Sequence, residues 1–238
     1  MRNLFLRSTP AVIIIGGVIV FALSAYDVVT SHTLLPNPDP NHIHADFAVW
    51  VNGTKLDFSS PEYMSSKPKT SMVPILIDRA MAHGDDEDPS TMIPGRQYLH
   101  LHDGNGDVIH KHKPGLTLGN FFTSIGLKMT STCFVLDQHQ FESLDKGWVK
   151  SFAITKSLCN NGKFHWTMFV NGKEVAMNPA YDFQDLDQIL LSYSAGDDHT
   201  KELEQLTSDS CRYSLRCPWK GTPPKENCIS DPTVPCVQ

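Results

Sequence analysis

Apolar and polar positions alternate from residue 42 to residue 47 in the run HIHADFAVWV (residues 42–51). Ile43, Ala45, Phe47, Val49 and Val51 fall on one side, and His42, His44 and Asp46 on the other. That two-residue period predicts a β-strand with one face in the core. Asn52-Gly53 predicts a tight hairpin turn, with residues 54–58 returning. The alternation recurs in residues 96–112, RQYLHLHDGNGDVIHKH. If Leu99, Leu101 and Ile109 face the core, then His100, His102, His110 and His112 share the opposite face. His100 pairs with His110 in that arrangement, across a turn centred on Asn105. Directly opposed residues have Cβ atoms about 4.5–5.5 Å apart, close enough for two imidazoles to share an ion. Val108 is a small misfit on this polar face.

Downstream, TLGNFFTSIG (residues 117–126) switches to helical spacing. Leu118, Phe121, Phe122 and Ile125 form one stripe, and Gly126 is the stop. Strands are expected at residues 129–136 (MTSTCFVL), 163–170 (KFHWTMFV, turning at Asn171-Gly172) and 188–194 (QILLSYS). Hairpin, helix and three strands is the order of a β-grasp, an α+β fold in which a mixed sheet wraps one helix. Residues 42–58 are then an added hairpin. Residues 60–95 read as a long loop with five prolines, the acidic run 85–88 and Met64, Met72, Met81 and Met92. Scattered methionines more often fill gaps than bind cuprous copper. AGDDHTKELEQLTSD (residues 195–209) predicts a capped surface helix, and the Pro-rich remainder a tail held by its cysteines. The expected division is a membrane segment at 1–30, a histidine-rich domain at 31–197, and surface helix plus tail at 198–238.

Residues 11–26, AVIIIGGVIVFALSAY, are uninterruptedly apolar and follow Arg2 and Arg7. Those flanking arginines keep the N-terminus cytoplasmic, so the bulk of the chain is translocated. The run is long for a signal core, which favours a retained transmembrane anchor. Ala22, Leu23 and Ser24 offer a cleavage site if the segment is a signal peptide. Six cysteines, Cys133, Cys159, Cys211, Cys217, Cys228 and Cys236, form no CxxC pair. An even count in an exported chain argues for disulfides rather than a zinc ribbon or a thioredoxin-like site. Cys133–Cys159 is the natural body pair, leaving three pairings open in the tail. The formal charge of −6 and the lack of a basic stripe speak against nucleic acid.

Three HxH pairs carry the chemistry: His42 and His44, His100 and His102, His110 and His112. Two residues apart on a strand, each pair presents both imidazoles to one site. Imidazole suits copper and zinc, so the expected partner is a transition metal ion. Six ligands exceed one tetrahedral zinc, so the pattern implies a four-histidine site plus a separate pair, or two metals. Asp46 and Asp103 are candidate extra ligands or acceptors for imidazole N–H groups. The alternatives are a pH-sensing cluster and a plain solvated sheet face, which three pairs on two hairpins disfavour.

His32, His83, His139, His165 and His199 stand alone and read as ordinary. DGNGD resembles the start of a calcium loop, but Val108 replaces its glycine and Pro114 its final glutamate. Asn52-Gly53-Thr54 matches a glycosylation triplet and is more simply a turn. HIHADF ends in Phe47 where the metallo-β-lactamase signature requires histidine, and the cupin glutamate is missing. No nucleophile motif and no phosphate-cradling glycine loop occurs.

HIHADFAVWVNGTKLDFS, YLHLHDGNGDVIHKHKPGLTLGNFFTSIG, FVNGK and DLDQILLSYS together resemble a family of exported, membrane-anchored, histidine-rich proteins of candidate-phylum bacteria and archaea. The resemblance covers roughly residues 40–238. It implies a membrane anchor, a periplasm-like setting and the histidine pairs, and brings no settled activity. More loosely, the C-terminal half looks like the β-grasp domain attached to some cobalamin-transport proteins, which implies a fold rather than a function. The expectation is therefore a membrane-anchored, extracytoplasmic protein that captures, buffers or transfers copper or zinc. A metal-dependent enzyme on the same site, a zinc hydrolase or copper redox protein, is the first alternative. A structural module that docks a partner protein is the second.

Overall fold

The computed structural model describes residues 33–66 and 92–224. The first strand, β1 (Ile43–Val51), runs at the centre of a mixed seven-stranded sheet. It turns at Asn52 and Gly53 into the short β2 (Thr54–Lys55). Both turn residues have positive φ, 47° and 79°, the geometry that favours Asn-Gly in a two-residue hairpin. Next come the edge hairpin β3 (Leu99–His100) and β4 (Val108–Lys111), with His100 opposite His110 as the alternation requires. β4 then pairs antiparallel with β1.

On its other side β1 pairs in parallel with β10 (Gln188–Ser194). β10 continues through β8 (His165–Val170) to β9 (Lys173–Val175). Residues 42–58 are therefore not an added hairpin, since β1 is the sheet's central strand. The physical reason is burial on both faces. Ala45, Phe47, Val49 and Val51 enter the main core, while Ala48 and Trp50 enter a second cluster with Phe169 and Leu190. A strand covered on both sides belongs inside a sheet.

One layer over the main face is helix α1 (Leu118–Ser124). A reciprocal capping box between Thr117 and Asn120 starts it, and Gly126 at φ 89° follows its end. Leu118, Phe121, Phe122 and Ile125 are all buried against the sheet, with Phe47 and Phe121 rings 5.1 Å apart.

A second small sheet closes this core. The expected strand at 129–136 is instead a hairpin, β5 (Lys128–Met129) and β6 (Cys133–Val135). The Thr130 hydroxyl accepts the Cys133 N–H at 2.9 Å and breaks the run, a local bond that competes with a ladder. The sequence pattern also left unread β7 (Ser157–Cys159) and two short helices, α2 (Gln138–Ser143) and α3 (Lys146–Ser151). Asp137 and Asp145 cap those helices, accepting the Gln140 and Trp148 N–H groups. Cys133 and Cys159 face each other across β6 and β7 and form a disulfide, as expected.

Over the sheet's second face lies the chain after β10. Helix α4 (Thr200–Glu204) is shorter than the surface helix expected at 195–209. Leu203 and Leu206 press onto Ala48, Trp50, Phe169 and Leu190. Helix α5 (Ser210–Tyr213) follows, and Cys211 bonds to Cys217. The expected N-terminal membrane segment, Met72, Met81, Cys228 and Cys236 lie outside the described residues. Among the described residues no helix is long and apolar enough to cross a membrane.

Gly106, in the β3–β4 turn, sits against the Phe58–Ser59 backbone. A Cβ there would lie 2.4 Å from Ser59 N and 2.5 Å from the Phe58 carbonyl carbon. Gly106→Ala is expected to cost about 1–3 kcal/mol of unfolding free energy, since backbone rather than a flexible tip must yield. Urea titration of both proteins checks this; an unchanged midpoint would refute the close packing.

A candidate metal centre of histidines

All six strand histidines meet on one face, where β1 lies beside the β3–β4 hairpin. His44 and His110 are directly opposed in the β1–β4 register, as His100 and His110 are across the hairpin. His42 immediately precedes β1 and His112 immediately follows β4. Their rings stack, with centroids 4.0 Å apart. His44, His100, His102, His110 and His112 are buried, and His42 is half-buried at the margin.

His42, His44 and His110 could together hold a metal ion, since one ring nitrogen from each lies within 4.8 Å of the others. Tetrahedral zinc at about 2.0–2.1 Å from nitrogen spaces its ligands roughly 3.4 Å apart, so a closing shift of about 1 Å completes the geometry. This trio draws on β1 and β4, beside the expectation from spacing of a four-histidine site plus a separate pair, or of two metals. His100, His102 and His112 surround it. His102 Nε2 is 3.0 Å from His110 Nδ1, and His100 stacks on His112 at 4.9 Å.

Hydrogen bonds assign the proton-bearing nitrogen in His44, His100, His102 and His110. His100 Nδ1 lies 2.7 Å from the Arg96 carbonyl, which only accepts, so Nδ1 is protonated and the lone pair sits on the buried Nε2. His102 Nδ1 donates to Asp103 Oδ2 at 2.8 Å. With His102 neutral, its Nε2 accepts from His110 Nδ1–H, which turns the His110 lone pair onto Nε2. For His44, Ser214 donates its hydroxyl proton to Asp185 Oδ1, and its oxygen accepts His44 Nδ1–H at 2.7 Å. Asp185 Oδ1 also takes the His44 backbone N–H at 3.1 Å, and Oδ2 takes Arg216 Nη1 at 3.1 Å. His44 and His110 are thus each backed by a carboxylate through one intermediary. That arrangement orients metal-binding imidazoles and raises their basicity.

Asp103 therefore sits where an acceptor of imidazole N–H belongs. Asp46 does something else. Its carboxylate is fully buried and accepts the Thr207 hydroxyl at 2.7 Å, Asp209 N–H at 2.7 Å and Ser210 N–H at 3.1 Å. Burial pushes the Asp46 carboxyl above its ordinary range, against hydrogen bonds that pull it down. Asp46 docks the chain at the start of α5, and α5 in turn brings Tyr213 and Ser214 onto the histidines. The Tyr213 ring lies 4.9 Å from His110 and 5.8 Å from His44, and its hydroxyl accepts from Asn105.

Ser214, Tyr213, Asp185 and Arg216 carried no signal in the sequence, because hydroxyls, single acids and arginines are too common to stand out without the fold. The cysteines bracketing residues 211–217 were the available hint. Met64 is a core residue, in keeping with gap filling. In the DGNGD turn, Asp103 and Gly104 have positive φ, Asn105 N–H closes the turn on the His102 carbonyl, and Asp107 pairs with Lys55. Hairpin geometry accounts for that sequence. His139, His165 and His199 lie apart from the cluster beside Glu62, Asp197 and Glu202. His32 and His83 fall outside the described residues. No family model, curated protein or solved structure matches the chain.

Asp46→Ala strips three donors of their buried acceptor and is expected to cost about 2–3 kcal/mol. Hydrogen exchange should speed up at the Asp209 and Ser210 amides while the β10 amides stay protected. Equal acceleration everywhere, or none, would contradict a local docking role for Asp46.

Proposed function

We propose that the protein is an extracytoplasmic transition-metal-binding protein, held at a membrane by its N-terminal segment, that captures, buffers or hands over copper or zinc. The observation that carries this reading is the convergence of His42, His44 and His110 on one another, with His44 and His110 already in the tautomer that offers Nε2. The donor set is all imidazole, which suits zinc and cupric copper and disfavours calcium and magnesium. Three protein ligands leave a fourth position for water, a fourth histidine or a ligand from a partner. His100 and His112 are the reserve, and His42 at the margin gives the ion its way in.

A β-grasp-like fold supports the reading as a scaffold. The run β4-β1-β10-β8-β9, the parallel β1–β10 pair at its centre and α1 packed on one face agree with that architecture. The resemblance to membrane-anchored histidine-rich proteins fits the same account. Two disulfides among the described residues suit an oxidising compartment.

Metalloenzyme chemistry on this site needs a general base near the ion. Asp46 faces the Thr207–Ser210 backbone and Asp103 is held by His102, so neither carboxylate is disposed to activate a bound water. Binding and transfer are therefore the better-supported reading.

Metal content of the full chain, measured by mass spectrometry after equal exposure to copper and zinc, tests the proposal. Near-stoichiometric metal is expected, lost in the His42, His44 and His110 triple alanine variant and falling on acidification as protons compete for the rings. No retained metal in the wild type would sink it. Ser214→Ala uncouples His44 from Asp185 and is expected to weaken affinity about 10–100-fold with the fold intact. Undiminished affinity in a competition titration would show that the chain through Ser214 does not tune the ligand.

A further inference from the structure

We propose that the segment bracketed by Cys211 and Lys220, together with Leu34 and Leu35, is a membrane-contact surface that lays the histidine-bearing face against an anionic lipid bilayer. Four large apolar side chains are exposed here: Leu34 at 44%, Leu35 at 46%, Leu215 at 51% and Trp219 at 37%. They belong to two stretches of chain locked side by side. Leu35 N–H donates to the Arg216 carbonyl at 2.8 Å, and Arg216 Nε donates back to the Leu35 carbonyl at 2.7 Å. Elsewhere among the described residues, the exposed large apolar side chains are Phe152, capped by Lys163 4.1 Å above its ring, and Val175.

Leu215 is the most informative of the four. Helix α5 ends in a Schellman motif, with Arg216 N–H on the Cys211 carbonyl and Leu215 N–H on the Arg212 carbonyl. The left-handed position of that motif is ordinarily glycine, yet here it is Leu215, at φ 55°. A leucine that is strained in the backbone and half exposed recovers only part of the burial a core leucine has. Strain kept for so partial a folding reward points to a contact outside the domain.

Charge and chain geometry favour a bilayer as the occupant. Residues 210–224 contain Arg212, Arg216 and Lys220 and no carboxylate, in a chain of net charge −6; Arg216 is paired with Asp185 and Lys220 with Asp209. Arg212 is held by the Thr222 carbonyl, a neutral acceptor. Leucine, tryptophan and basic residues together are the composition of an interfacial surface. The apolar run of residues 11–26 ends eight residues before Leu34, and eight residues reach at most about 28 Å. A chain inserted through that run therefore holds Leu34 and Leu35 close to the headgroups. The same segment carries Tyr213 and Ser214, so the metal-site cap would sit at the lipid surface.

Trp219 supplies the readout, because Trp50, Trp148 and Trp166 are buried. The full chain, free of metal, is reconstituted into vesicles of phosphatidylcholine and anionic phosphatidylglycerol, with and without acyl chains brominated near the headgroup. Bromine is expected to remove most of the emission by which wild type exceeds Trp219→Phe. Leu215→Gly is expected to raise the thermal midpoint by relaxing the backbone and at the same time to reduce that quenching. A variant that is more stable yet less lipid-bound cannot be explained by misfolding. Equal fractional quenching of wild type and Trp219→Phe would overturn the proposal. So would a lower midpoint for Leu215→Gly, which would mean that Leu215 packs within the domain. A Trp219 blue shift that grows with protein concentration, without bromine quenching, would assign the patch to a second copy instead. None of these readouts depends on metal, so this inference and the metal-binding reading fail separately.

Discussion

A carboxylate with no access to water, beside histidines and apolar side chains on one face of a sheet, needs donors from elsewhere in the chain. Asp46 is that group, and the Thr207 hydroxyl with the Asp209 and Ser210 N–H groups answers it. An unanswered buried carboxylate costs more than any single contact in the region returns. The requirement therefore fixes where the segment after α4 must lie, across β1 and over the histidines. Tyr213, Ser214 and the Cys211–Cys217 disulfide then arrive in place. The charge lies two residues from His44, and in a strand that puts it on the same face.

Strand periodicity also explains which parts of this organisation were open to sequence reading. The β3–β4 register, with His100 opposite His110, follows from alternation alone, as do the α1 stripe and the Cys133–Cys159 pair. Alternation says nothing about which hairpin lies next to which. The β1–β4 pairing that sets His44 against His110 is a long-range contact, and from it comes the trio that the spacing of HxH pairs did not suggest. Ala48 and Trp50 were in plain view on the polar side of β1. Read as burial on both faces rather than as exceptions, they mark a central strand instead of an added hairpin. The hairpin within residues 129–136 was hidden because a single threonine hydroxyl, that of Thr130, decides it.

Acceptors placed behind the rings select which nitrogen keeps its proton: the Arg96 carbonyl behind His100, Asp103 behind His102, and Ser214 with Asp185 behind His44. Each acceptor takes the Nδ1 proton and turns Nε2 inward. Asp103 and Asp185 are negative charges held one group away from His110 and His44, where they favour a cation without themselves ligating it. Arg216 on Asp185 keeps part of that charge in check.

The short disulfide loop over the site reconciles two demands that usually conflict. A ligand-orienting hydroxyl must be held to within a fraction of an ångström, yet an ion must pass. Four residues of helix cannot hold their own shape in water. Closing the Cys211–Cys217 loop removes about 2 kcal/mol of unfolded-chain entropy, and Asp46 clamps its other end. The cap is held by these two means, and His42, which precedes β1, is the least buried of the six histidines. Under the proposed metal-binding reading, a site stiff over His44 and His110 with its third ligand at the margin would let that ligand yield first. Stepwise release of that kind is what handing an ion to a partner requires, whereas permanent storage would call for the margin to be sealed as well.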